Sequence, residues 1–172
     1  MIATDPTPDW LTDSWARDAL RRAYDLASGS PDTSTQNGAV AYAADGTRLG
    51  VGSNHFTRGT KPTADLLERP KKYAYIEHAE RNAIYSCLRF QLGWPHVLVC
   101  PWAACADCAR AIVESGIRHL VRHQRDDATG RWAGSIVDGD TMMASAGVNV
   151  ITITGELGGC APILFAGQEW TP

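Results

Sequence analysis

The sequence predicts a three-layer α/β domain: a five-stranded mixed sheet with helices on both faces and its last two strands parallel. Three observations predict it. Apolar residues change between helical and alternating spacing along the chain, in the order αββαβαβαβ. The helical segment 131–146 lies between the last two strands, and such crossovers join parallel strands. The 172 residues show no repeat, low-complexity tract or linker, and suffice for one core.

The elements follow in order. Residues 10–28, WLTDSWARDALRRAYDLAS, carry apolar residues at helical spacing and stop at Gly29. GAVAYAADGTRLGVGSN reads as a hairpin, with strands at 37–43 and 47–53 and Asp45-Gly46 at the turn. Residues 54–76 are polar, contain Gly59, Pro62 and Pro70, and are expected as a long loop of the kind that often carries function. A helix is expected over 78–90, a buried strand over 96–102, and a helix over 105–115 that stops at Gly116. RHLVRH (118–123) is a strand, and 131–146 a helix ending near Gly147. VNVITIT (148–154) is a strongly β-branched strand. The tail, 155–172, is expected to pack on the outside.

Composition narrows the function. Hydrophobic residues make up 44% and charged residues 20%, ordinary for a globular protein, and the formal net charge is −3. No basic stripe is present, which argues against a nucleic-acid partner but not against a small anionic substrate. The first ten residues show no basic n-region and no apolar stretch, so a secretory signal is not expected, and no apolar run approaches the ~20 residues of a spanning helix. The expectation is therefore a cytoplasmic protein with no membrane contact. Five cysteines, an odd number, point to metal binding or buried thiols before a disulfide framework.

Three of those cysteines fall in VCPWAACADCARAI (99–112), two of them as C-x-x-C at the start of a helix. That spacing puts both sulfurs on one side of the first turn, at the positive end of the helix dipole. Alone, it also fits a redox pair or two buried thiols. The preceding helix opens with His78-Ala79-Glu80. A metal lying off both helix starts could take His78 as a third ligand and leave Glu80 free to move protons. Three protein ligands leave the fourth position of a tetrahedral zinc open, as in catalytic sites. Zinc lowers the pKa of bound water toward ~7.

H-x-E followed by P-C-x-x-C is the signature of the zinc nucleobase deaminases, and this chain carries all of it but the Pro. In GAVAYAADGTRLGVGSN, RPKKYAYIEHAERNAI and ACADCARAIVESGIRHLV, over roughly residues 37–122, the chain resembles the cytidine deaminase superfamily, in particular its deoxycytidylate (dCMP) deaminase branch. The resemblance implies a cytidine-deaminase-like fold holding one catalytic Zn²⁺ per chain on His78, Cys105 and Cys108. Glu80 would be the proton shuttle. Asn54 would hydrogen-bond the substrate, Ala79 would offer its backbone N–H to the base, and Arg89 falls where a phosphate contact can occur. The implied reaction is hydrolysis of dCMP or deoxycytidine to the uracil product and ammonia. The implied partner is a small nucleobase, nucleoside or nucleotide, and the implied assembly a homo-oligomer.

Three departures bear on substrate more than on chemistry. Ala104 stands where the family has Pro before the first Cys. His55 follows Asn54 where Gly is frequent, and would narrow or re-polarise the pocket. The stretch VRHQRDD lacks an aromatic residue often found after the fourth strand. A purine, pterin-like or modified pyrimidine base is therefore the alternative substrate. Outside that class stand base editing in tRNA and a non-catalytic zinc scaffold, for which Cys100 is the near fourth ligand. Cys87 and Cys100 otherwise read as core residues, and His96, His119 and His123 as structural or solvated. Trp102 is a candidate pocket wall. Arg58, Lys61, Arg69, Lys71 and Lys72 form a basic cluster from which one member could hold a phosphate.

Overall fold

The computed structural model describes residues 5–123 and 130–172. Helix α1 (Asp13–Ser28) starts at Thr12, whose hydroxyl accepts from the Trp15 amide at 3.3 Å, an N-cap. Strands β1 (Gly38–Tyr42) and β2 (Arg48–Ser53) form the expected antiparallel hairpin. Its turn is closed by Asp45 Oδ1 accepting from the Thr47 amide and by Gly46 at φ 84°.

Residues 54–76 are more structured than the loop expected. Two-residue strands β3 (His55–Phe56) and β4 (Ile76–Glu77) pair antiparallel, with a 3₁₀ turn (Ala64–Leu67) and the short helix α2 (Lys72–Tyr75) between them. Then come α3 (Ala79–Arg89), β5 (Val97–Val99), α4 (Ala106–Glu114), β6 (His119–His123), α5 (Ala133–Ser145) and β7 (Asn149–Ile153). Strand β5 is shorter than expected: Cys100 still donates to Val121 O, but Pro101 has no N–H with which to continue the ladder.

The main sheet has the order β2-β1-β5-β6-β7. β1 is antiparallel to β2 and β5, whereas β5–β6 and β6–β7 are both parallel. The mixed sheet with a parallel final pair is thus as predicted, with α4 supplying a second parallel crossover. Period-two alternation builds two cores from one sheet. Ala39, Ala41, Leu98 and Leu120 face α3, α4 and α5 through Ala83, Ile84, Ile112 and Met143. Val40, Tyr42, Val97, Val99 and Val121 face α1 through Leu20, Ala23 and Tyr24.

Two glycines set the helix positions. A Cβ on Gly38 would lie 2.1 Å from Ala23 O in α1, and one on Gly52 would lie 2.5 Å from the Ala83 amide in α3. Both helices therefore touch the sheet backbone, and α3 is drawn down onto the β1–β2 hairpin.

The tail, expected only to pack on the outside, has regular structure of its own. It folds into the hairpin β8 (Ile163–Phe165) and β9 (Gln168–Trp170). Four hydrogen bonds join it to residues 34–36: Gln36 N to Leu164 O, Leu164 N to Gln36 Oε1, Ala166 N to Thr35 Oγ1 and Gly167 N to Ser34 O. Ile163 is buried on the α1 face of the sheet. Among the described residues no helix is long and apolar enough to cross a membrane.

Candidate active site

Two helix starts meet at one point. His78 is the N-cap of α3 and Cys105 the N-cap of α4, with Cys108 in the first turn of α4. His78 Nδ1 lies 3.6 Å from Cys105 Sγ and 3.4 Å from Cys108 Sγ. The three ligand atoms lie within 4.8 Å of one another. A tetrahedral zinc with ordinary bond lengths separates nitrogen from sulfur by about 3.6 Å. The set therefore fits zinc in donor type and in spacing. Cys100 stands outside this cluster: it is fully buried, and its thiol is engaged with the Asn37 amide.

The electrostatics favour a thiolate here. The hydrogen bond from Cys108, and then those of His78, hold Cys105 down to about 4 despite burial. The same bond, with burial, pushes Cys108 up. Burial would lower the His78 pKa, but its bond to Cys105 and the nearby Glu80 charge raise it. Arg81 braces the group, its Nη1 lying 3.5 Å from Cys108 Sγ and its Nε donating to Glu77 Oε1 at 2.5 Å.

A cavity of about 540 Å³ opens onto these ligands, with His78, Glu80 and Cys105 in its lining. Glu80 is only 2% exposed. Its burial pushes the carboxyl above the usual range, opposed by the charge of His78. A carboxyl so placed, beside the three candidate ligands and off the metal position, has the geometry that acid–base work requires.

The other expected residues divide. Asn54 lines the cavity, and both ends of its amide also hold the 32–37 loop: Oδ1 accepts from Asn37 N at 2.6 Å, and Nδ2 donates to Thr35 O at 2.7 Å. Trp102 lines the cavity and packs on Phe165 with ring centroids 4.6 Å apart. Ala79 is the fully buried first residue of α3. His55 is exposed on β3, its Nδ1 2.7 Å from Phe56 O, and is outside the cavity lining. Arg89 is also outside the lining. Nine residues beyond Glu80 on one helix is about 13 Å along its axis, and its guanidinium lies over Phe90. Ala104 in place of Pro leaves the start of α4 intact. The residues after β6 where the family often has an aromatic, 124–127, lie outside those described.

Further groups line or touch the cavity, some of them without a signal in the sequence. Trp132, at the start of α5, places its ring edge-on to His78, with centroids 5.9 Å apart. From the basic cluster, Lys72 is buried in a two-bond ion pair with Asp32 at 2.7 and 2.9 Å, and both line the cavity. Arg69 donates to Ser34 Oγ, and Arg131 stacks on Tyr73 at 4.3 Å; these two exposed cations also line the cavity. Asn37, which the sequence marks only as the start of a strand, donates to Glu80 Oε2 at 3.3 Å. Lys72 and Arg69 were marked by their basic cluster, whereas Asn37, Asp32, Arg131 and Trp132 have no local signal because each meets the site across long stretches of chain.

Comparison with known proteins agrees with this geometry. A relative from Aliivibrio fischeri, described as an uncharacterized deaminase in the luxG 3′ region, is 33% identical over 144 residues, or 81% of this chain and 94% of the relative. The dCMP deaminase of cyanophage S-TIM5, solved in complex with dCMP and dUMP, shares the fold with a TM-score of 0.59 at 19% identity, covering 86% of this chain and 99% of that one. A point mutant of NE0047, solved in complex with 8-azaguanine, gives a TM-score of 0.50 at 21% identity, covering 82% and 74%. The family model for the cytidine and deoxycytidylate deaminase zinc-binding region matches residues 13–124, a span that holds both helix starts and the ligands on them. The chain therefore belongs to the cytidine and deoxycytidylate deaminase family.

Proposed function

We propose that this protein is a zinc-dependent hydrolase that deaminates a nucleobase carried in a small nucleoside or nucleotide, of the dCMP or deoxycytidine type, to the uracil product and ammonia. The observation that carries it is the convergence of His78, Cys105 and Cys108 beside the buried Glu80 carboxyl on one cavity. Zinc held by those three residues would supply the Lewis acidity that activates water at neutral pH.

The protein's own groups do the rest. Glu80 takes a proton from the water that adds to the ring carbon bearing the amino group. It gives that proton to the adjacent ring nitrogen. It then moves the second water proton to the amino nitrogen, which leaves as ammonia while the ring carbon keeps the oxygen as a carbonyl. One carboxyl serves as base and then as acid, which requires it beside the water but off the metal. Asn54 and the Ala79 amide orient the base. Trp102, Phe165 and Trp132 enclose it, and Arg69 and Arg131 face a phosphate.

The cavity volume also admits a purine, and one fold relative holds 8-azaguanine, so the base is decided by assay. An ammonia-release screen of the zinc-loaded protein over nucleobases, nucleosides and nucleotides should single out deoxycytidine nucleotides. Purine turnover alone would move the substrate, and no turnover of any base would refute the activity. A homo-oligomer belongs to the same proposal. The exposed apolar residues Tyr85, Leu88, Phe90, Leu92 and Trp94 support it, and a monomer by light scattering would remove it.

A further inference from the structure

We propose that Asn37 is a positioning residue that holds the Glu80 side chain in its working orientation; this rests on the deaminase activity proposed above. Glu80 sits in the first turn of α3, and a glutamate there has three free torsions. Among the described residues, the side-chain donor that reaches it is Asn37, whose Nδ2 lies 3.3 Å from Oε2.

The orientation of the Asn37 amide is settled by its neighbours. The Gly38 amide can only donate, and it lies 3.0 Å from Asn37 Oδ1. The NH₂ group must therefore face Glu80, with its second hydrogen toward Cys100 Sγ at 3.2 Å.

Asn37 is itself fixed. Its N–H donates to Asn54 Oδ1 at 2.6 Å, and its carbonyl accepts from Asn54 N at 3.0 Å. Asn54 is bonded to Thr35 O, and its Nδ2 lies 3.5 Å from Asp32 Oδ2. Asp32 accepts from the amides of Ser34 and Thr35 and from Lys72 Nζ. A buried polar chain thus runs from Lys72 through Asp32, Asn54 and Asn37 to Glu80. Satisfied networks of this kind make side chains rigid. The sequence context agrees. Asn37 is only 8% exposed and enters β1, whose five residues are all buried, where the local pattern asks for an apolar residue. A residue that breaks the local rule marks a function.

The test uses the full-length protein as Asn37→Ala and Asn37→Asp. The aspartate keeps the volume and the bond from Gly38 but cannot donate to Glu80. Crystal structures of wild type and variants are compared for the Glu80 rotamer, and kinetics are measured on the substrate found by ammonia release. We expect Glu80 to leave its rotamer in both variants. A misplaced catalytic group costs on the order of 10- to 100-fold in kcat, and KM should move less than about threefold. A merely structural asparagine would lower thermal stability without splitting kcat from KM. Glu80 unmoved, or kcat within about twofold of wild type, overturns the inference and leaves the deaminase activity standing. If wild type releases no ammonia from any base, the activity fails instead, and the Glu80 rotamer alone decides the positioning.

Discussion

In the proposed zinc site Cys105 and Cys108 would each supply one sulfur, three residues apart. A serine oxygen is a harder and less readily ionised ligand than a thiolate. Metal analysis of a Cys105→Ser/Cys108→Ser double variant should show zinc falling from about one per chain to near zero, as expected when two of three protein ligands are lost. Retained zinc would refute the ligand set. This part of the site was legible because its spacing is local: each helix start presents its ligands within one turn. Asn37 and Trp132 were not, since they reach Glu80 and His78 from 43 and 54 residues away.

His119 makes a different prediction at the same scale. Its ring is fully buried against that of His96, and neither ring nitrogen has a protein partner among the described residues. Burial, then the His96 charge, lowers its pKa below the ordinary 6.5. A histidine with a depressed native pKa binds its proton more readily when unfolded. It therefore contributes stability that is present above pH 6.5 and is lost as pH falls from there toward the native pKa, by at most about 1.4 kcal/mol per pH unit. Denaturant titrations of His119→Leu should show little change at pH 7.5 and a flatter fall in stability below pH 6.5. A fall as steep as that of wild type would contradict this.

At the scale of elements, α1, the β1–β2 hairpin and the final parallel crossover through α5 were legible from periodicity; the parallel crossover through α4 was not. Nor was the tail. Ile163–Phe165 and Gln168–Trp170 are three residues each, too short to show alternation, and the turn between them uses positive φ at both Ala166 and Gly167. The hairpin forms because loop 34–36 pairs with it, which no local pattern announces. Through it Phe165 becomes a cavity wall, packed at a tilt against Trp102. Phe165→Ala should cost about 1–2 kcal/mol from lost burial, lowering Tm by several degrees. Under the proposed function this wall would bind rather than react, so KM should rise while kcat holds. A fall in kcat with KM unchanged would place Phe165 in the chemistry instead.

For the whole molecule, the formal charge of −3 hides a local reversal. Arg69 and Arg131 are exposed at a cavity whose deeper cation, Lys72, is already neutralised by Asp32. Exposed charges are screened within about 8–10 Å at physiological salt, so their attraction for a phosphate depends on salt. Raising ionic strength should increase KM for a nucleotide while leaving KM for the matching nucleoside nearly flat. Arg69→Ala/Arg131→Ala should abolish that difference. Equal salt dependence for both substrates would mean that neither arginine meets a phosphate.

The same cavity rests on one carboxyl. Glu80→Gln keeps the size of the side chain and can still bond to Asn37, but it cannot carry a proton. The most direct measurement is ammonia release by wild type and Glu80→Gln at saturating substrate, with zinc determined on the same samples. General acid–base catalysis contributes typically ~10²–10⁴-fold. Turnover should fall by at least that much, with zinc content and Tm unchanged and substrate affinity little altered. A Glu80→Gln protein that holds zinc and still releases ammonia at near the wild-type rate would contradict the account.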